Sequence, residues 1–141
     1  MLLKASLGLA LLLSAPDVGK SPSVHAVLQA EHERPEVPDV FKAALASADA
    51  ELQRVALRAL GRQEKKELAP LVRPFTEATE EALRREAIVA LAQMGDDFDY
   101  RARLGVERAP SVRAAILEAL GRRRPGTLES EQALLAGLTE S

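Results

Sequence analysis

Reactive side chains are few in this chain of 141 residues, and their placement excludes most chemistry. There is no cysteine, so disulfides, thiolate metal sites, a thiol nucleophile and a lipoprotein anchor are ruled out. His25 and His32 are the only histidines and stand beside Glu31 and Glu33 in a polar stretch, where solvation is the ordinary state and no metal site is expected. From residue 38 onward no histidine is available for a serine–histidine–acid set, so catalysis by this chain alone is not expected. Gly19-Lys20-Ser21 ends like a phosphate-binding loop. Ser14, however, stands where the motif needs its first glycine, and Pro22 follows where a helix should begin. Asp96, Asp97 and Asp99 resemble half a calcium loop without its closing glutamate and fit a turn with a helix cap. Glu80, Glu81 and Glu86 fall in or near the first turns of a helix, where acids favour the macrodipole. No cofactor is expected.

The elements that must position these residues repeat. Leu52, Ala56, Ala59, Leu60 and Gly61 recur as Leu83, Ala87, Ala90, Leu91 and Ala92, then as Val112, Ile116, Ala119, Leu120 and Gly121. In the first copy Leu52, Val55, Ala56, Ala59 and Leu60 follow i, i+3, i+4, i+7 and i+8, one stripe of an amphipathic helix, which Leu83, Ala87, Ala90, Leu91 and Met94 and then Val112, Ala115, Ile116, Ala119 and Leu120 keep. A shorter apolar segment precedes each: Val40, Ala44 and Leu45; Leu71, Val72 and Phe75; Tyr100 and Leu104. Each unit is therefore a helical hairpin, and hairpins of about thirty residues must stack to bury their apolar faces. The expected fold is all-α, a solenoid of three stacked hairpins with a partial fourth. Alanine at 56, 87, 59, 90 and 119 predicts close helix approach. Pro110 suits a first helical turn, Thr79 a cap, and Gly61, Gly95 and Gly121 left-handed exits; Pro74 should break the helix that Pro70 opens.

The second helices, above all Pro110-Ser111-Val112-Arg113 followed by Glu118-Ala119-Leu120-Gly121, resemble HEAT repeats of the short type first recognised in phycobilin lyases. The resemblance covers about residues 37 to 138. It implies a protein-interaction scaffold whose second helices line the concave side. It also implies that Arg84 and Arg113, which follow the first apolar residue of their copies, brace adjacent repeats; Gln53 holds that position in the first copy. Members of the family also serve as arms of enzymes such as prolyl isomerases and as chromophore lyases, which are the alternative readings.

Arginines dominate the outward positions of the second helices: Arg54, Arg58, Arg62, Arg85, Arg122, Arg123 and Arg124. A guanidinium pairs bidentately with carboxylates, so Arg54, Arg58, Arg85 and Arg122, with Val89 between them, form the expected surface for a protein partner. The row 58, 89, 118 reads Arg, Val, Glu and the net charge is −2, so no continuous cationic track for nucleic acid exists. Lys4, the apolar run Ala5–Leu13 and the small residues after it have the form of a signal peptide, too short to span a membrane. Residues 1–26 are accordingly expected to direct export, with cleavage after Ala26 favoured over Ala15. Residues 27–37 are expected to be linker, and 38–141 the solenoid. Leu134, Leu135 and Leu138 match the first helix of a fourth unit without a following second helix, which predicts an association surface.

Overall fold

Helix formation starts from local signals. Asp49 caps the helix Ala50–Gln63, its carboxylate accepting from the backbone N–H of Glu51 at 2.9 Å and of Leu52 at 3.3 Å. A computed structural model describes residues 21–33, 39–123, 132 and 135–138. In chain order it contains α1 (Val24–Glu33), α2 (Asp39–Leu45), α3 (Ala50–Gln63), a 3-10 turn at Lys66–Leu68, α4 (Ala69–Val72), a second 3-10 turn at Arg73–Glu77, α5 (Glu81–Met94), α6 (Tyr100–Val106) and α7 (Pro110–Arg123). No strand occurs among the described residues. Every short first helix packs on its own second helix, α2 on α3, α4 on α5 and α6 on α7; the second helices pack on each other, α3 on α5 and α5 on α7. This is the expected all-α solenoid.

The core follows the repeat. Ala56, Leu57, Leu60, Ala87, Ile88, Leu91, Val112 and Ile116 are fully buried, with Phe41 and Tyr100 anchoring the first helices. Small residues set the helix separation: a Cβ added at Gly61 would lie 2.8 Å from the Cα of Ala90. Gly61 therefore serves close approach and lies inside α3, where a left-handed exit was expected; the left-handed residue is Glu64, at φ 53°. Gly121 is likewise within α7. Only Gly95, at φ 67°, ends its helix in the expected manner. Pro110 opens α7, and the break at Pro74 is present as the change from α4 to a 3-10 turn. Thr79 does not cap α5; Glu80 holds the cap position without a side-chain bond, and Arg84 takes the carbonyl of Thr79 instead.

Residues 27–33, expected to be linker, lie within the helix α1. Ser23 accepts from the backbone N–H of Ala26 at 3.1 Å and starts α1, whose Val27 and Ala30 are buried. α1 packs on α3 and α2, so it occupies the place of a second helix ahead of the first hairpin. The charged and proline-rich composition of 16–38 hid a proline-free window between Pro22 and Pro35 with Val24, Val27 and Leu28 at helical spacing. Ala26, the favoured cleavage position, lies inside α1, whereas Ala15 lies outside the described residues.

Candidate functional site

Side chains on the second helices are engaged in different ways. Bracing residues come first. Gln53 donates to the carbonyls of Leu45 and Ser47 at 3.0 and 2.8 Å; Arg84 donates to those of Ala78 and Thr79 at 3.0 and 2.9 Å; Arg113 donates to those of Leu104 and Glu107 at 2.9 and 3.0 Å. The same repeat position therefore satisfies the carbonyls where the chain leaves the first helix of its own unit. Arg84 also forks onto Glu107 of the next unit, at 2.9 and 3.1 Å, which is the brace between repeats that the resemblance implied. Gln53 performs the intra-unit part without a charge.

Glu107 is the most heavily engaged carboxylate. Besides Arg84 it accepts from Arg103 at 2.8 Å and from the backbone N–H groups of Arg108 and Ala109 at 3.0 Å. Burial alone would raise its pKa; the Arg84 fork, the Ala109 amide and Arg103 outweigh burial and hold it down at about 2. The three aspartates of the loop after α5 are engaged in the same structural manner. Asp96 is buried and accepts the Arg73 fork at 2.6 and 2.9 Å, Asp97 pairs with Lys66 at 2.7 Å, and Asp99 caps α6 by accepting from the Ala102 N–H at 3.0 Å. They form a turn with a helix cap, as the sequence suggested.

The surface arginines were expected to act together, and the structure divides them. Arg58 is committed: its Nε and Nη2 reach Glu86 at 3.3 and 3.2 Å, and Glu86 is buried. That hydrogen-bonded pair raises the Arg58 pKa above its ordinary value. Glu86 consequently lies at an inter-repeat contact as well as in the early part of α5. Arg54 pairs with Glu51 at 3.4 Å, Arg62 with Glu31 at 3.1 Å, and Arg122 with Glu118, all partly exposed. Arg85 is exposed and makes no ion pair among the described residues. The stacking of α5 against α7 does bring Val89 and Arg122 together. With Ala92, Ala115, Ala119 and Glu118 they line a shallow groove whose floor is aliphatic and whose rim is charged. Ala92, Ala115 and Ala119 were not singled out as site residues, although their repeat positions beside the 58, 89, 118 row could have located them.

At the far end of the array, residues 135–138 are helical, with Leu135 63% and Leu138 70% exposed; Leu134 lies outside the described residues. Gly137 is buried against Leu117, to which an added Cβ would come within 2.6 Å.

The stacked second helices, the small-residue contacts and the bracing position are all on view when the chain is compared with known proteins. The family model for HEAT repeats matches residues 37–104. Over these residues the chain is HEAT-like. The match spans the first two hairpins and most of α6, while α7 continues the same stack beyond it. A comparison with curated proteins finds no match. HEAT repeats generally mediate protein–protein interaction. No helix among the described residues is long and apolar enough to cross a membrane.

Proposed function

We propose that this HEAT array is an exported scaffold that holds a protein partner on the open side of its second helices, the concave side in arrays of this family. The groove of Val89, Ala92, Ala115 and Ala119 with Arg122 at its rim carries the reading. Exposed ion pairs give only about 0–1 kcal/mol each, so Arg85, Arg54 and Arg122 supply orientation and on-rate while the aliphatic floor supplies affinity. A partner surface with small aliphatic contacts flanked by carboxylates complements the groove. Replacing Val89 with aspartate, or Arg85 and Arg122 together with glutamate, should abolish capture of the partner from an extract of the native source. Helicity and melting should not change. Retention of capture in both variants would remove the groove from consideration.

Export rests on Lys4, the apolar run from Ala5 to Leu13 and the small residues that follow. The position of Ala26 inside α1 favours cleavage at Ala15, which keeps α1 whole. Intact mass of the protein from its native source tests this directly. A mass beginning at Pro16 supports it, and an uncut amino terminus refutes it.

A further inference from the structure

Between the end of the second 3-10 turn, α5 and the end of α6 lies an open cavity of about 360 Å³, lined by Glu77, Arg84, Arg103, Val106, Glu107 and Arg108. Its cations are not equally spent. Arg84 gives Nε and Nη2 to Glu107 and Nη1 to two backbone carbonyls, so it is committed to the fold. Arg103 gives a single Nη2 bond to Glu107; its Nη1 meets no acceptor among the described residues, and its Nε is buried without one. The guanidinium of Arg108 is exposed and makes no hydrogen bond or ion pair among the described residues, although its backbone N–H is held by Glu107.

The carboxylates on hand do not use these donors. Glu107 already accepts five N–H groups on its two oxygens, more than its lone pairs number. Glu77 is exposed and makes no ion pair among the described residues. Glu81 acts on Arg84 but bonds to Ser111 and stands outside the cavity lining. Three arginines against Glu77 and Glu107 leave one positive charge on the lining, which balances a single carboxylate rather than a phosphate monoester at about −1.5 to −2. Guanidinium forks match that planar acceptor. Val106, 64% exposed, adds an apolar contact beside them. Small-molecule sites enclose most of their ligand, whereas Glu77, Val106 and Arg108 leave this one open, which suits a side chain presented by a protein.

We propose that this cavity takes an acidic side chain of a protein partner, its carboxylate held by Arg103 and Arg108 and an adjoining aliphatic group resting on Val106. The assignment rests on the array's role in protein interaction. It shares no residue with the groove of Val89 and Arg122, so the two sites stand or fall separately.

Nuclear magnetic resonance titration of the full chain tests it with the capped peptide acetyl-Val-Glu-Val-amide, set against its glutamine counterpart, sodium acetate and sodium phosphate at one ionic strength. The glutamate peptide should shift the Nε–Hε signals of Arg103 and Arg108 and the methyl signals of Val106 saturably, and should bind more tightly than acetate or phosphate. The glutamine peptide should leave those signals in place. Arg108→Gln and Val106→Ser change exposed side chains, and circular dichroism checks that each keeps the fold. Arg108→Gln should weaken the glutamate peptide about fivefold, the upper end for one exposed ion pair. Val106→Ser should weaken the peptide and leave acetate unchanged. Val89→Asp, which disables the groove, should bind the peptide like the wild type. Equal shifts from the glutamine peptide, phosphate binding as tightly as the glutamate peptide, or unchanged affinity in Arg108→Gln overturns the proposal. So does acetate that matches the peptide, which would make the site one for a free acid, or a loss of peptide binding in Val89→Asp.

Discussion

Glu107 shows how one side chain holds two repeats in register. Its carboxylate collects two arginines and two backbone amides at the junction of α5, α6 and α7, so its protonation would release all of them together. The folded pKa of about 2 lies below the ordinary 4.5. A depressed carboxylate contributes stability that is fully present above the unfolded value and fades as pH falls through the folded one. The wild type should therefore lose stability between about pH 4.5 and pH 2 through this group. Glu107→Gln should cost about 3–5 kcal/mol near neutral pH, because it leaves Arg84 and Arg103 without their charge partner at a buried site. Its acid limb should be flatter than that of the wild type. Urea melts of both proteins across that range measure the two effects together.

Helix contacts account for the next scale, and two glycines separate packing from propensity. At Gly61 a methyl group would press on the backbone of Ala90, so Gly61→Ala should destabilise by about 1–3 kcal/mol through overpacking. At Gly105, inside α6, an added Cβ meets nothing within 4 Å. Gly105→Ala should stabilise by about 0.5–1 kcal/mol through helix propensity, and thermal melts distinguish the two signs. Arg58 is the second element-scale test. From its outward place in α3, truncation would appear harmless, but its guanidinium satisfies buried Glu86, so Arg58→Ala should cost about 1–3 kcal/mol. These cases mark what the sequence made legible. Periodicity exposed the hairpins and the close alanine contacts, because the repeat carries them at fixed offsets, while the bracing role of Arg84 and Arg113 was implied by the family resemblance. It did not expose the Arg58–Glu86 or Arg73–Asp96 pairs, which depend on how long side chains cross between helices rather than on any spacing along the chain. Gly61 was misread because a glycine near a helix end serves equally as an exit or as a contact, and only the neighbouring helix decides between them. α1 escaped because prolines on both sides dominated the composition of its surroundings.

The described residues form a stack of second helices from α1 to α7, with the short first helices packed against it. Between α5 and α7 the second helices line a shallow groove floored by Val89, Ala92, Ala115 and Ala119. Of the surface residues expected to act together, Val89 and Arg122 share that groove, Arg58 is occupied by Glu86, and Arg85 stands without an ion pair among the described residues. In the proposed function a partner meets the second helices rather than the short first helices. Site-specific photocrosslinking in the native source tests it most directly, with the reactive side chain placed at Val89 in one variant and at exposed Glu67, in the turn before α4, in another. The claim predicts a discrete protein adduct from position 89 and none from position 67. The same adduct from position 67 with none from position 89 would contradict it.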